Sequence, residues 1–63
     1  MPIIHVHMLE GRPTEKVKLV IERVTDAVAE SLEVPKETIR VLVSEVPKTH
    51  WGIGGTPRSD LNR

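Results

Sequence analysis

Two apolar stretches with the two-residue period of a strand flank one long stretch with the period of a helix, and this order limits the folds open to the chain. Residues Ile3 to Met8 alternate: Ile4, Val6 and Met8 point one way, and Ile3, His5 and His7 the other. From Thr14 to Leu32, Val17, Val20, Ile21, Val24, Ala27, Val28 and Leu32 recur at three- and four-residue steps and make one apolar stripe. Pro13 suits a helix entry, Thr14 is the expected N-cap, and Val34 before Pro35 marks the stop. "PKET" follows as a turn, with room for one turn of helix. "TIRVLVSEV" is then a second strand, with Ile39, Val41 and Val43 on one face and Arg40, Leu42 and Ser44 on the other. Apart from Arg40 it is apolar on both sides, the pattern of a strand buried on both faces.

Strand, helix and strand in this order predict an α+β chain built on a single β-α-β unit with parallel strands. One helix covers one face of a two-stranded sheet. The other face has no partner within the chain, so self-association through the sheet is expected. The tail "PKTHWGIGGTPRSDLNR" is rich in glycine and proline and predicts a short hairpin or arm that packs on another subunit. Its last few residues are expected to fray. No repeat or linker divides the chain, and residues 1–63 are expected to form one domain.

Size supports association. A 63-residue chain buries only about 60% of its unfolded surface and is marginal alone. With no cysteine, disulfides and thiolate metal sites are excluded, which leaves oligomerisation as the favoured remedy. Nine basic residues balance nine acidic ones, so no general field draws in nucleic acid or an anionic membrane. No apolar run approaches the roughly 20 residues of a membrane helix, and the first stretch lacks the basic and apolar regions of a signal peptide. Cytoplasm is the expected location.

Few residues carry chemistry. His5 and His7 form an H-x-H on one strand face, but two imidazoles do not make a metal site, and His50 is distant in sequence. "GIGG" follows no strand and precedes no helix of the kind a phosphate loop needs, so its glycines belong to a turn. Glu22, Asp26, Glu30, Lys18 and Arg23 lie off the helix stripe and read as a solvated face. Arg12 is an ordinary loop arginine by position. Arg40 is less ordinary, because a guanidinium among Val and Leu must reach a rim or meet an anion. Trp51, the only aromatic of the Phe, Trp and Tyr class, can fill a groove between subunits, wall a pocket, or do both.

Pro2 follows the initiator methionine. Aminopeptidases remove methionine before a small second residue, and the chain would then begin with a secondary amine. An ordinary α-amino group titrates at about 7.7–8.0 and a prolyl amine is more basic; an apolar wall and nearby arginines disfavour its cation. A neutral amine near pH 7 is a good general base. The plain alternative is a proline that begins a strand.

Taken together, "MPII", "HMLEGR", the helix, "IRVLVSEV" and "HWGIGG" resemble the 4-oxalocrotonate tautomerase family, in its short-subunit branch and over essentially the whole chain. The resemblance implies a cofactor-independent isomerase that ketonises 2-hydroxymuconate-like dienols to conjugated 2-oxo acids, as in aromatic hydrocarbon catabolism. It implies that Pro2, freed of Met1, takes a proton from a dienol or from a carbon next to a carbonyl and returns it elsewhere on the conjugated system. Arg12 would hold the distal carboxylate of a dicarboxylate substrate. Arg40 would bind the carboxylate beside the keto group and stabilise negative charge on oxygen. Trp51 stands where the family usually has phenylalanine and would form the apolar wall beside Pro2, and the backbone of Leu9 would line the pocket. No metal or cofactor is implied. The family pattern further implies a homohexamer, a trimer of dimers, with pockets built from neighbouring chains.

Ile53 stands where branches that hydrate or dehalogenate acrylates need a carboxylate, which disfavours those reactions. The competing reading of the residues is a non-catalytic or weakly promiscuous oligomeric binder of small carboxylates, which would keep the arginines without needing a free amine. Carbon–carbon bond chemistry through an enamine at Pro2 would be a side activity. Pro2 and Arg12 stand about 30 Å apart on an extended strand, at about 3.3 Å per residue, so one chain is not expected to close both on one small substrate.

Overall fold

In the computed structural model, which describes residues 1–61, the first strand, β1, spans Ile3–Leu9. Its alternation is as expected: Ile3, His5 and His7 are exposed, and Ile4, Val6 and Met8 are half-buried. Gly11 then takes φ 117°, a left-handed value open to glycine, and turns the chain toward the helix.

Helix α1 spans Thr14–Leu32, the expected limits. The cap differs from expectation. Pro13, not Thr14, is the N-cap: it lies in the extended region (φ −62°, ψ 150°), and its carbonyl accepts from the N–H groups of Lys16 at 2.9 Å and Val17 at 3.2 Å. Thr14 is already helical, and no side chain caps the first turn. The stripe facing the sheet is also narrower than its sequence. Val17, Val20, Val24 and Val28 are half-buried, whereas Ile21, Ala27 and Leu32 are exposed. At the other end Glu33 adopts a left-handed conformation (φ 55°), and its N–H and that of Val34 both reach the carbonyl of Ala29. This closes the helix one residue before the Val34–Pro35 step.

A 3-10 turn over Lys36–Thr38 leads into β2, Arg40–Val46. The two strands pair in parallel, with Ile3 opposite Arg40, Val6 opposite Val43 and Leu9 opposite Val46. Ile39, just ahead of β2, is the one buried hydrophobic side chain among the described residues. Val41 and Val43 are half-buried on the same side. As expected, the chain itself leaves the other sheet face without a partner: Leu42 is 48% exposed, and Ile3 on the same face is 67% exposed. A single helix has one stripe to offer and covers one face.

After a second 3-10 turn, Lys48–His50, the chain forms the expected hairpin. Its strands β3 (Gly52–Ile53) and β4 (Thr56–Pro57) are antiparallel, with Gly54 and Gly55 at the turn. Both glycines have positive φ, 59° and 89°, as a two-residue hairpin turn of this hand requires. A third 3-10 turn, Arg58–Asp60, ends the described chain, so the fraying expected of the last residues falls partly outside it.

The resulting shape is flat and drawn out, 43 × 24 × 14 Å. Its radius of gyration is 14.7 Å, against about 11 Å for a compact chain of this length. Its accessible surface is 4938 Å², against about 4,100 Å² for a typical monomer of this mass. No helix among the described residues is long and apolar enough to cross a membrane.

Candidate active site

Strand pairing brings two of the five expected site residues together. Because Ile3 pairs with Arg40, the ladder extends one step back, and the Arg40 N–H donates to the Pro2 carbonyl at 3.0 Å. Pro2 is half-buried and forms one wall of a groove of about 460 Å³ that it shares with Ile3, Ile4, Ala27, Val28, Ser31 and Leu32. The groove opens where the C-terminal half of α1 passes over the start of β1. Apart from Ser31 its side chains are apolar, a setting that disfavours a cation.

Arg40 is exposed. Its Nη1 donates to the carbonyl of Glu37 at 2.8 Å and, more weakly, to that of Ile39 at 3.4 Å. The guanidinium therefore reaches a rim, one of the two outcomes open to it, and is tethered there by backbone oxygens. Nε and Nη2 make no hydrogen bond among the described residues, so one edge of the fork can receive a carboxylate in bidentate fashion.

Leu9, Arg12 and Trp51 belong to the opposite end. Leu9 pairs with Val46, seven residues along an extended backbone from Pro2, or about 23 Å at 3.3 Å per residue. The Glu10 N–H continues the ladder to the Val46 carbonyl at 3.0 Å, and exposed Arg12 follows the Gly11 turn. Trp51 leaves the far end of β2 after the Lys48–His50 turn. It is half-buried, and its carbonyl accepts from the Arg58 N–H at 2.7 Å, which closes the base of the hairpin. None of these three lines the groove beside Pro2.

The histidines form their own local contacts. The rings of His5 and His7 stack with centroids 4.2 Å apart, and His5 Nε2 shares a hydrogen bond with Ser44 Oγ at 2.7 Å. His50 Nδ1 lies 2.9 Å from Thr49 Oγ1. Among the described residues no three His, Cys, Asp or Glu side chains group as a metal site would require.

One contact was not legible beforehand. Asp26 reads as part of the solvated helix face, yet it is half-buried, and its Oδ1 meets Lys36 Nζ at 2.7 Å. The hydrogen bond from Lys36 to this carboxylate, and the charge behind it, raise the Lys36 ammonium above its ordinary value. The partners sit on a helix and on the turn after it, ten residues apart, a spacing with no helical or strand meaning.

This chain and its fold have close counterparts among known proteins. A family model described as "Tautomerase enzyme" matches residues 2–61, a segment that begins at Pro2. The 2-hydroxymuconate tautomerase of Pseudomonas putida is 48% identical over 63 residues, all of both chains. Among solved structures, a 4-oxalocrotonate tautomerase isozyme of Methylibium petroleiphilum superposes with a TM-score of 0.92 at 44% identity, covering 98% of this chain and 100% of that one. A heterohexameric 4-oxalocrotonate tautomerase of Chloroflexus aurantiacus gives 0.91 at 36% identity, covering 97% and 98%. The chain belongs to the 4-oxalocrotonate tautomerase family and is an enzyme of keto–enol proton transfer. The sequence resemblance and the β-α-β architecture are thereby both borne out.

Proposed function

We propose that this isomerase ketonises 2-hydroxymuconate-like dienols with the amine of Pro2 as the proton carrier. The observation that carries the reading is the 3.0 Å bond from the Arg40 N–H to the Pro2 carbonyl, which joins the backbone of a cationic residue to the residue that becomes the terminus. While Met1 is attached, the Pro2 nitrogen is an amide without a basic lone pair. Loss of Met1, whose side chain is 78% exposed, turns it into a secondary amine against an apolar groove. That amine takes the proton of the enol hydroxyl, and electron density moves along the conjugated chain. The ammonium then returns the proton to a carbon of that chain, so composition is unchanged and the base is restored. Arg40 binds the carboxylate beside the forming ketone and meets the charge that develops on its oxygen.

Arg12 takes the distal carboxylate, Trp51 supplies an apolar wall and Leu9 contributes backbone. These three stand at the far end of the sheet, so they reach the Pro2 of a neighbouring copy rather than their own. The flat shape and the uncovered face with Ile3 and Leu42 support such an assembly, and we take it to be a homohexamer of three dimers with the whole chain as one unit. The name of the Pseudomonas putida relative supports the substrate class. The test is ketonisation of 2-hydroxymuconate, followed by absorbance, on protein whose intact mass lacks Met1. Pro2→Ala is expected to lower kcat by at least about a hundredfold, the lower range for a general acid–base. Near-full rates in that variant, or in protein that retains Met1, would overturn the mechanism.

A further inference from the structure

The side chain of Arg40 is only as well placed as the backbone that holds it. Its Nη1 rests on the carbonyl of Glu37, which lies in the 3-10 turn Lys36–Thr38. That turn is short and internally bonded: the N–H and Oγ1 of Thr38 both reach the Pro35 carbonyl, at 3.1 and 2.7 Å, and the Ile39 N–H reaches Lys36 at 3.0 Å. Two features tie it to the rest of the fold. One is buried Ile39, at its downstream edge. The other is the Lys36–Asp26 pair at its upstream edge, which joins it to α1. Asp26 Oδ1 is itself shut off from solvent and meets no hydrogen-bond partner among the described residues besides the Lys36 ammonium.

We propose that Asp26 and Lys36 are positioning residues for Arg40: their ion pair docks the Lys36–Thr38 turn on α1 and so fixes the Glu37 carbonyl that aims the guanidinium. The inference rests on the role given to Arg40 above. With the turn docked, Nη1 is held on backbone and the Nε/Nη2 edge faces the substrate carboxylate. With it loose, the same charge is present but its direction is averaged. Such a loss falls on the reaction more than on the fold, because an exposed pair contributes little to global stability.

The test compares Lys36→Met, Asp26→Asn, the swap Asp26→Lys/Lys36→Asp, and Arg40→Ala, on mass-checked protein with 2-hydroxymuconate. Each single variant is expected to lower kcat/KM by about threefold to fivefold, the range an exposed pair can transmit, while assembly size stays at the wild-type value and Tm falls only slightly. Lys36→Met should be the more severe, since it leaves a shielded carboxylate oxygen unpaired. The swap should recover most of the loss. Wild-type kcat/KM in both single variants, or losses that track Tm and are not recovered by the swap, would overturn the proposal. Arg40→Ala separates the two levels. If it is impaired while the single variants are normal, only the positioning role falls. If it is itself normal, the role of Arg40 falls, and the positioning role with it.

Discussion

The Arg40 N–H donates to the Pro2 carbonyl at 3.0 Å, so the first peptide unit of β2 is hydrogen-bonded to the residue just ahead of β1. The bond extends the β1–β2 ladder past its formal end. It leaves Pro2 half-buried and backed by β2 rather than free to swing.

The two arginines should fail differently. In the proposed mechanism Arg40 meets charge that develops during the reaction, so Arg40→Ala should lower kcat by about a hundredfold or more, as loss of one oxyanion donor does. The carboxylate proposed for Arg12 is equally charged before and during reaction. Arg12→Ala should raise KM by about tenfold with kcat little changed, the signature of lost uniform binding. Steady-state kinetics on a dicarboxylate and its monocarboxylate analogue check both, and the Arg12 effect should shrink on the monocarboxylate.

Ile39 is the best-buried apolar side chain in the described chain, at 7% exposure. Ile39→Ala should lower stability by about 2–5 kcal/mol through lost burial and the cavity left behind, and Ile39→Val by about 0.5–1.5 kcal/mol. Urea unfolding read by circular dichroism, at fixed protein concentration, measures the difference.

Leu42 lies on the uncovered sheet face opposite His5, whose ring stacks on His7, and shares that face with Ile3. In the isolated chain Leu42→Glu would remove little buried contact, since Leu42 is already 48% exposed. In an assembly closed over that face it places a carboxylate against apolar surface. The expected result by light scattering is a smaller species than wild type, with activity lost in proportion.

Lys36 gives a prediction at alkaline pH. Asp26 raises its folded-state value above that of the unfolded chain, so the pair's stabilisation is fully present below the ordinary lysine value and is lost as pH rises through the raised one. The small Tm difference between wild type and Lys36→Met should persist through neutral pH and close above about pH 10.4. Thermal melts across pH 7 to 11.5 test this, with Glu22 and Glu37 as the other charges acting on Lys36.

Much of the frame was legible because it rests on periodicity. The limits of α1, the faces of β1 and the glycine turn of the hairpin all follow from spacing and from residues with few conformational options. The misses have physical reasons. Pro13 took the cap expected of Thr14 because its extended backbone already presents the carbonyl the first turn needs. Glu33 closes the helix in a left-handed conformation that usually goes to glycine or asparagine. The apolar outer face of β2 says that something covers Leu42, and says nothing about which chain supplies it. For the site, the family resemblance singles out Pro2, Arg12, Arg40 and Trp51, but the pairing of Pro2 with Arg40 depends on strand register. The Asp26–Lys36 contact depends on how a turn lies against a helix, which no local pattern encodes.

β1 is also a ruler. Its seven extended residues fix how far Pro2 stands from the Leu9–Arg12 end, and hence the spacing any neighbour must match. One inserted residue would exchange the two faces beyond it and bring the histidines under the helix. Two would keep the faces and lengthen the ruler by about 7 Å, enough to carry a guanidinium out of reach of a small diacid. Changes of composition are therefore open to this strand, and changes of length are closed to it.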